Sequence, residues 1–359
     1  MVKDPLRTKN FGNHPEYLFL GEDTYGKVSD LRYGTNPSQT AALYNENSFL
    51  GSLLEKKTGK EGLSQTNMED IFWAALITGF FKKPSAIIMK HENPCGFATQ
   101  YELEPLHEIY KKAADADFRA AFGGVVLINR QIDLETAEFI NNFFTEVIVA
   151  PDYDEGVIEK LSKGTTRIIK YDDEIFKKIP RFVGDKSESE IKKLPDGSVI
   201  VSDTLLTPIF TEQELKQYIV SKKQPTDEEL RDLLTGYRIR LRSNSVRMIK
   251  NGYTTALGTG QQDRVGCIET AAFRNMGLEE LAKENKRERA ADYSIKGSVL
   301  ISDGFFPFSD SIELAGKLGI TSVLAPHGGN NFNKVLKKAD ELRIGFVDIP
   351  GELRFFEHH

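Results

Sequence analysis

Two separate stretches of the chain repeat the same order of short apolar runs and helical segments. The first extends from "GVVLINR" at 124–130 to "VIVAP" ending at Pro151, and the second extends from "GSVLISD" at 297–303 to "SVLAP" ending at Pro326. In both, a helical stretch separates two apolar runs that have the length of buried strands. A strand, a helix and a strand at this spacing form a βαβ unit, so the repeat predicts an α/β fold built from two related units. A chance resemblance between two βαβ units is the alternative.

The segments around these units indicate how the chain is organised. It is predicted to divide into an N-terminal extension, a first α/β domain, a small helical insert and a second α/β domain, at 1–24, 25–205, 206–245 and 246–359. In the first domain, "TNMEDIFWAALITGFF" predicts a helix that Asn67 caps, with Asp70 three residues later as its partner. Ala86–Met89 is short and apolar, as expected of a buried parallel strand. Sheets of this kind bind ligands at the carboxyl ends of their strands, and we expect a site there.

The region between the two units has its own local signals. Residues 152–200 are rich in lysine and aspartate, and Pro195-Asp196-Gly197 predicts a hairpin turn there. In the insert, Thr226 followed by Glu229 predicts a capping box at the start of a helix.

Composition and charge exclude several classes of protein. The formal net charge of −6 argues against a nucleic-acid partner, because phosphate binding needs clustered Lys and Arg. No apolar stretch approaches the roughly 20 residues that span a bilayer, and the polar start lacks the apolar core of a secretory signal. The two cysteines, Cys95 and Cys267, form no disulfide framework and no Cys-x-x-Cys pair. We therefore expect a reduced cytoplasmic enzyme with no membrane partner.

The segment "IIMKHENPCG", residues 87–96, places a lysine and a histidine side by side where an apolar run ends. A zinc deaminase would carry His-x-Glu and then Pro-Cys-x-x-Cys, but Glu92 follows His91 directly and Cys95 has no second cysteine nearby. The ligand count therefore predicts no metal here. A histidine can transfer a proton near neutral pH, and the Lys90 ammonium can stabilise an oxyanion, so the pair suits an acyl transfer. The alternative is an exposed Lys-His pair at a turn.

Two further segments are candidate ligand contacts. In "LRYGTNPSQT" (31–40), Arg32 can hold a phosphate with two hydrogen bonds and the Tyr33 hydroxyl can add one, unless the segment is only a rigid polar turn. Ser243-Asn244-Ser245 follows the insert, and Gly258-Thr259-Gly260 precedes a helix, which favours close approach of a ligand to the backbone. The third glycine of a dinucleotide fingerprint is absent after Gly260.

Two segments near the C-terminus combine aromatic rings and glycines. In "SDGFFPFSDSIELA" (302–315), two exposed-looking phenylalanines flank Pro307 and Asp310 is predicted to cap a helix, which suits either an aromatic platform for a flat heterocycle or ordinary core packing. "APHGGNN" (325–331) places glycines before a helix, as an anion-binding nest would. The sequence contains no Gly-x-x-x-x-Gly-Lys-Ser/Thr motif, which argues against an ATP site of the P-loop kind.

Taken together and in order, these segments resemble the transformylase domain of the bifunctional purine-biosynthesis enzyme that acts on aminoimidazole carboxamide ribonucleotide (AICAR). The resemblance extends from about residue 28 to the C-terminus. It is carried by "LRYGTNPSQT", "KHENPCG", "AFGG", "SNS", "GTGQQDR" and "SDGFFPFSDSIE". It implies a phosphoribosylaminoimidazolecarboxamide formyltransferase with a duplicated cytidine-deaminase-like α/β/α fold. The reaction would move a formyl group from 10-formyltetrahydrofolate to the 5-amino group of AICAR, giving formyl-AICAR and tetrahydrofolate in de novo purine biosynthesis.

The resemblance also implies roles for individual residues. His91 would be the base that removes the amine proton, Lys90 would stabilise the oxyanion, and Asn244 would hold the formyl or carboxamide group. Arg32 and Tyr33 would bind the nucleotide phosphate. Further positions that match the nucleotide and folate pockets are Phe122, Gly123, Glu146, Lys163, Arg264, Phe305, Asp310, Arg354 and His358. Similar enzymes are homodimers with shared active sites, and some bind a structural potassium ion near the C-terminus.

The sequence departs from the family pattern in three places. The family has Asn-Pro-His-Gln where this chain has Asn36-Pro37-Ser38-Gln39, so a binding role of that histidine is in question. The matching part contains no cyclohydrolase domain, and we expect a separate protein to close the ring to inosine monophosphate. His359 follows the position at which the family usually ends.

Two other functions stay open. The formyl donor could be formate with ATP, although the missing P-loop motif argues against it. The chain could also be a regulatory protein that binds nucleotide or folate without catalysis, which the change at Ser38 allows and the presence of Lys90, His91 and Asn244 opposes.

Overall fold

The computed structural model describes residues 14–20, 23–59, 62–162 and 164–356. The strands are β1 Tyr17–Leu20, β2 Asp23–Leu31, β3 Ala41–Tyr44, β4 Leu54–Lys57, β5 Ser85–Lys90, β6 Asn93–Thr99, β7 Val125–Ile128, β8 Val147–Ala150, β9 Arg167–Lys170, β10 Glu190–Lys193, β11 Val199–Ser202, β12 Ser245–Lys250, β13 Tyr253–Thr259, β14 Val299–Ser302, β15 Ser322–Pro326 and β16 Gly345–Ile349. The helices are α1 Gln65–Thr78, α2 Leu106–Ala116, α3 Leu134–Asn141, α4 Val157–Leu161, α5 Asp173–Lys177, α6 Glu212–Lys216, α7 Asp227–Arg238, α8 Arg264–Glu284, α9 Asp310–Lys317 and α10 Phe332–Glu341, and a 3₁₀ helix spans Gly351–Leu353.

An eleven-stranded mixed sheet forms the centre of the fold, in the order β16-β15-β14-β12-β13-β6-β5-β7-β8-β9-β4. Helices α1 and α7 pack on one face of it, in the cluster that contains Ile87 and Met89 of β5. Helix α2 packs on the other face, with Ala86 and Ile88. Because successive side chains of a strand point to opposite faces, a strand covered on both faces has an unbroken apolar run. The α/β class predicted from the sequence is confirmed.

The two halves of the chain have the same order of elements. A helix, an antiparallel hairpin, a second helix and then three strands joined by helices occur as α1 to β9 and again as α7 to β16. The hairpins Ser85–Thr99 and Ser245–Thr259 pair in the same register, and the register shifts after Ile88 in one and after Met248 in the other. From the middle of the sheet, β6-β5-β7-β8-β9 extends in one direction and β13-β12-β14-β15-β16 in the other. The sequence repeat therefore corresponds to a repeated order of elements.

Each hairpin turn is held by a buried aspartate on the helix that precedes it. The Asp70 carboxylate of α1 accepts the backbone N–H groups of His91 and Glu92, at 3.2 and 2.6 Å. The Asp232 carboxylate of α7 accepts the equivalent N–H groups of Asn251 and Gly252, at 2.7 and 2.8 Å. Burial raises the pKa of Asp70 to about 7 and that of Asp232 to about 6. The sequence-based role of Asp70 as a capping partner is therefore wrong, and its carboxylate ties α1 to the turn after β5.

The halves join at a seam between β6 and β13. Tyr253 pairs antiparallel with Ala98, and the Thr99 N–H donates to the Gly252 carbonyl at 2.9 Å. The hydroxyl of Thr254 then replaces a backbone partner, since it accepts the N–H of Phe97 at 3.0 Å. Within the described residues, no backbone pairing continues along β6 and β13 beyond this point. In the described residues, the two strands are therefore hydrogen-bonded at the Thr99 end of the seam and unpaired at the end nearer the start of β6.

Several local predictions need correction. Ala86–Met89 lies in β5, which is antiparallel to both β6 and β7, so the parallel strand predicted there is wrong. The cap of α1 is Ser64, and Asn67 is its capping-box partner three residues later, because the chain enters the helix earlier than its apolar pattern suggests. In α9, Ser309 is the N-cap residue and Asp310 is the first helical residue.

Other local predictions hold. The hairpin at Pro195-Asp196-Gly197 joins β10 and β11, and Thr226 with Glu229 forms the capping box of α7. Strand β1 lies inside the predicted extension and pairs antiparallel with β2. Among the helices of the described ranges, none has the length and apolarity that crossing a membrane requires.

Candidate active site

Strand ends from both halves meet at one edge of the large sheet, which we call the shared edge. In the first half it carries the end of β5 and the starts of β6, β7, β8 and β9. In the second half it carries the start of β12 and the ends of β13, β14, β15 and β16. The halves face in opposite directions, so this edge carries mostly amino ends of strands in the first half and mostly carboxyl ends in the second.

Lys90 and His91 lie at the shared edge, at the tip of the first hairpin. His91 and Glu92 have φ of 56° and 62°, which is the left-handed region that side chains with a β-carbon adopt at a cost of about 1–3 kcal/mol each. Both Lys90 and His91 line a cavity of about 320 Å³ between β6, β13, α2 and α8, which we call the seam cavity. The Lys90 ammonium donates to the backbone carbonyl of Phe122 at 2.9 Å. Lys90 and His91 therefore share one cavity, and the strained turn fixes the backbone that carries them.

Asn93 connects this turn to the loop that contains Asn244. Its side-chain amide donates to the His91 carbonyl at 3.1 Å, while its side-chain oxygen accepts the Arg242 N–H at 3.1 Å. The same oxygen lies 3.3 Å from the hydroxyl of Thr259, which donates to the Arg242 carbonyl at 2.6 Å. The Asn244 carbonyl accepts the thiol of Cys267 at 3.1 Å. Asn93, which the sequence pattern did not indicate, thus bonds the Lys90-His91 turn to Arg242, two residues before Asn244.

A buried carboxylate and a guanidinium lie beyond this loop. Asp303, which follows β14, is fully buried and accepts the hydroxyl of Ser243. Arg264, the first residue of α8, lies with its guanidinium 3.3 Å from the other carboxylate oxygen. A β-carbon on Gly304 would lie 1.9 Å from that guanidinium, so a larger residue there would displace the Arg264 side chain. Arg264 is therefore fixed beside the Asn244 loop by its ion pair.

The aromatic segment after β14 is only partly exposed. Phe306 is 3% exposed and Phe308 59%, so one of the two phenylalanines predicted to be exposed belongs to the core, because it packs under α9. Phe305 is half-buried, and its ring lies against Gly328 and Gly329, where a β-carbon would come within 2.7 and 3.1 Å of it. These glycines serve close ring packing. Asp310 is exposed at the start of α9.

Arg32 and Tyr33 lie at the outer part of the shared edge with Glu146. The Arg32 guanidinium donates to the Tyr33 hydroxyl at 2.9 Å and to the Glu146 carboxylate at 3.2 Å. Arg167, at the start of β9, donates to the same carboxylate oxygen at 3.3 Å. Burial, and then the nearby Arg32, lowers the pKa of Arg167. Two guanidiniums thus share one carboxylate, which leaves a positive charge that suits a phosphate.

Phe122 and Gly123 connect the two groups of residues. Gly123 has φ of 73° and donates its N–H to the Phe144 carbonyl at 2.8 Å, while the Glu146 N–H donates to the Gly124 carbonyl at 3.1 Å. The Phe122 ring is 55% exposed, and its carbonyl receives the Lys90 ammonium. Hydrogen bonds thus link Lys90 to Glu146 and Arg32 along the shared edge.

The C-terminal part adds one more cation. Arg354 donates through Nε to the Gly351 carbonyl at 2.8 Å, and the guanidiniums of Arg354 and Arg264 both lie 5.7 Å from the ring centre of Phe356. The predicted contacts Lys163 and His358 lie outside the described residues.

The two glycines of Gly258-Thr259-Gly260 differ in their surroundings. Gly258 lies in β13, where a β-carbon would come within 2.1 Å of the Cys267 carbonyl of α8, so the close approach at this position is to a helix of this chain. A β-carbon on Gly260 would meet nothing within 4 Å, and the approach of a ligand there stays a prediction. Cys95 and Cys267 are both buried free thiols. Among the described residues, no group of three or more His, Cys, Asp or Glu side chains could hold a metal ion.

Three residues of this region were missed from the sequence. Asp70 and Asn93 are single polar residues whose partners lie in a turn and a loop distant in sequence, and Arg167 reaches Glu146 only because β8 and β9 are neighbours. The sequence shows Arg167 only as a charged residue at the start of an apolar strand. That pattern does not indicate which residue the arginine pairs with.

Comparison with known proteins gives one consistent result. A family model described as AICARFT/IMPCHase bienzyme matches residues 6–274. Proteins named "Bifunctional purine biosynthesis protein PurH" are similar over most of the chain. The one from Chlorobaculum parvum is 36% identical over 343 residues, covering 92% of this chain and 59% of the relative. The one from Acetivibrio thermocellus is 35% identical over 350 residues, covering 96% and 61%. The chain thus spans about 60% of the length of the curated relatives it matches.

Proposed function

This chain belongs to the AICARFT/IMPCHase bienzyme family, and from that premise we propose that it transfers a formyl group to the 5-amino group of AICAR. The observation that carries the proposal is the meeting of Lys90 and His91 in the seam cavity, with the Asn244 loop bonded to their turn. We propose 10-formyltetrahydrofolate as the donor, with formyl-AICAR and tetrahydrofolate as products.

The proposed mechanism begins with a weak nucleophile. The lone pair of the AICAR amine is delocalised into its ring, so the proton must leave as the nitrogen attacks the formyl carbon. His91 takes that proton, and the Lys90 ammonium stabilises the oxyanion of the tetrahedral intermediate. The bond from the formyl carbon to the folate nitrogen then breaks, and that nitrogen receives a proton with help from Lys90. Asn244 holds the formyl or carboxamide group during both steps.

The phosphate of AICAR would bind at the outer part of the shared edge. Arg32 and Tyr33 are already joined by a hydrogen bond there, and Arg167 adds a second guanidinium. A planar guanidinium can donate two parallel hydrogen bonds to two oxygens of one phosphate. This cluster therefore suits a nucleotide phosphate better than a sugar hydroxyl. We propose Arg167 as an addition to the expected set.

The remaining pocket residues are proposed from the family resemblance and their place at the shared edge. Phe305 and Phe122 offer ring faces on which flat heterocycles can stack. Arg264 and Arg354 offer positive charge for the carboxylates of the folate or the phosphate of AICAR. Gly123, Glu146 and Asp310 lie on the same edge. Lys163 and His358 stay predictions.

We propose a homodimer with shared active sites. Strand β11 exposes Val199, Ile200 and Val201 by 56, 51 and 62%, and the facing Ile191 of β10 is 50% exposed. Because successive residues of a strand face opposite ways, both faces of this hairpin are apolar. An apolar surface of this kind is typical of a protein–protein contact.

We also propose that the two halves are duplicated cytidine-deaminase-like domains, at 25–205 and 246–359, joined by the insert 206–245 and preceded by the extension 1–24. The matching order of elements supports this proposal. The cytoplasmic location and the lack of nucleic-acid and membrane partners stay predictions.

The expected potassium ion fits poorly at the buried carboxylate near the C-terminal part. Asp303 has one oxygen bonded to the Ser243 hydroxyl, and the Arg264 guanidinium lies 3.3 Å from the other. A guanidinium in that place already supplies the positive charge that a potassium ion would supply. We therefore assign no step of the reaction to potassium.

Folate release by the purified protein tests this function. We expect turnover with AICAR and 10-formyltetrahydrofolate, and none with AICAR, formate and ATP. His91→Ala should lower turnover by about 10²-fold or more while AICAR affinity changes little, because a general base acts mainly in the transition state. His107→Ala, in the first turn of α2 where the ring stacks on Phe139 of α3, serves as the control. Turnover only with formate and ATP would overturn the donor, unchanged turnover in His91→Ala would remove the base, and binding without turnover would favour the regulatory alternative.

A further inference from the structure

We propose that Asp70 is a positioning residue that holds the imidazole of His91 in the seam cavity by fixing the backbone of its turn. The inference rests on the proposed function, in which His91 is the base. Asp70 is 5% exposed, and its two carboxylate oxygens accept the N–H groups of His91 and Glu92 at 3.2 and 2.6 Å. In both hydrogen bonds the donor is a backbone N–H of the turn and the acceptor is a carboxyl oxygen on the helix.

The imidazole depends on this backbone for its place. Within the described residues, the His91 ring makes no hydrogen bond or ion pair, and the residue is exposed at the cavity wall. Its neighbours act on the main chain instead, since Asn93 donates to the His91 carbonyl and Asp70 accepts its N–H. A shift of the turn would therefore move the ring, with no side-chain contact to oppose it.

The second half contains a natural control for this arrangement. Asp232 accepts the N–H groups of Asn251 and Gly252 at 2.7 and 2.8 Å, in a hairpin of the same register. That turn lies at the edge of the sheet opposite to the shared edge, because β12 starts where β5 ends. The two aspartates thus have the same structural task, and only Asp70 serves a turn with a proposed catalytic residue.

The two turns differ in how much they need their aspartate. Asn251 and Gly252, with φ of 49° and 77°, are the residue types that form a two-residue hairpin turn most readily. His91 and Glu92 occupy the same conformation, with φ of 56° and 62°, which glutamate rarely adopts and histidine adopts less readily than glycine. The first turn therefore depends on the Asp70 carboxylate for a shape that the second turn adopts from its own sequence.

Within the part of the chain that the structure describes, the charges around Asp70 give it no ion-pair partner. Glu69 and Glu92 both oppose the ionisation of its carboxyl group, so its contacts with the turn are the two backbone hydrogen bonds. The Lys90 ammonium is bonded to the Phe122 carbonyl instead of to this carboxylate. Asp70 is thus a buried acid with two backbone donors and no cation bonded to it among the described residues, an arrangement that aids the turn and gives no ion pair.

The matched variants Asp70→Asn and Asp232→Asn in the full chain test the proposal. Each keeps the size of the side chain and replaces one acceptor oxygen by an amide that cannot accept a backbone N–H. We expect comparable losses of thermal stability in both. At a temperature where both are folded, kcat for formyl transfer should fall about 10- to 100-fold in Asp70→Asn and less than 2-fold in Asp232→Asn, while KM for AICAR changes less than 3-fold in each.

Rescue separates a positioning role from a general structural one. Glycine adopts left-handed φ without cost, so Glu92→Gly in the Asp70→Asn background should restore at least a third of wild-type kcat, while Glu92→Gly alone stays within 3-fold of wild type. If Asp70→Asn alone does not fold, the double variant is measured in its place. Unchanged kcat in Asp70→Asn, equal losses of kcat in both aspartate variants, or no recovery in the double variant would each overturn the inference. A wild-type protein without turnover would instead count against the proposed function.

Discussion

The carboxylate shared by two arginines allows a test in which stability and binding should change in opposite directions. Glu146 Oε1 lies 3.2 Å from Arg32 Nη2 and 3.3 Å from Arg167 Nη1, and the Arg167 side chain is 3% exposed. At an effective dielectric constant of about 20, unit charges about 4 Å apart attract by about 4 kcal/mol. The Glu146 side chain is 31% exposed, so we take about half of that for each of the two pairs and subtract about 2 kcal/mol for the desolvation of the carboxylate. Glu146→Gln should therefore lower the free energy of unfolding by about 2 kcal/mol.

The same substitution should strengthen the binding of a phosphate. The carboxylate competes with the phosphate for the same N–H groups and repels it, so its removal frees both guanidiniums for the ligand. We expect the Kd for AICAR to fall about 10-fold, which equals about 1.4 kcal/mol, and the Kd for the dephosphorylated riboside to change less than 2-fold. Titration calorimetry with both ligands measures the binding, and urea unfolding without ligand measures the stability.

A surface carboxylate of equal charge gives the control. Glu138 pairs with Lys160 at 2.9 Å and is 68% exposed, so Glu138→Gln should change neither quantity measurably. Weaker AICAR binding in Glu146→Gln, or an equal change for both ligands, would refute the reasoning. Either result would mean that Glu146 orients the arginines for the substrate and does not compete with its phosphate.

Three further predictions concern the fold, the assembly and pH. Gly258→Ala should lower the free energy of unfolding by about 2 kcal/mol or more, because its β-carbon would lie 2.1 Å from the Cys267 carbonyl. Gly277→Ala, which meets nothing within 4 Å, should not lower the melting temperature, and equal melting temperatures of the two variants would contradict the packing argument. Val201→Asp should convert the proposed dimer to a monomer, as measured by sedimentation velocity. A Val201→Asp variant that sediments as a dimer, like wild type, would show that the hairpin lies outside the interface. Burial raises the pKa of Asp70 from 3.8 to about 7, so its favourable contribution is complete below pH about 4 and is lost as pH rises through 7. From pH 8 to pH 5.5, wild type should gain about 2 kcal/mol more unfolding free energy than Asp70→Asn, and parallel pH curves for the two proteins would contradict this.

The parts of the fold that the sequence predicted are those that depend on local pattern. The βαβ units at β7-α3-β8 and β14-α9-β15 followed from apolar runs of strand length separated by helical stretches. The hairpin of β5 and β6 could not be predicted in the same way, because His91-Glu92 has none of the usual residues of a tight turn. Its shape depends on Asp70, which is distant in sequence and is recognised only once α1 packs on the sheet.

The candidate site shows the same division. Lys90 and His91 were adjacent in sequence and could be proposed as a pair, Arg32 could be proposed from its turn segment, and the family resemblance suggested the role of Asn244. Asn93 and Arg167 acquire their partners only through strand order, since β13 must lie beside β6 and β9 beside β8. A polar residue at a strand end has no defined partner until the sheet is assembled.

The open end of the seam has a consequence for how the cleft persists. Strands β6 and β13 stop pairing at Phe97, whose N–H donates to the Thr254 hydroxyl and not to a backbone carbonyl. From there towards the shared edge both strands line the seam cavity, with Pro94 and Cys95 on one side and Thr255 and Thr259 on the other. The width of the seam cavity therefore depends on one threonine hydroxyl that stands where a continuous sheet would have a backbone partner.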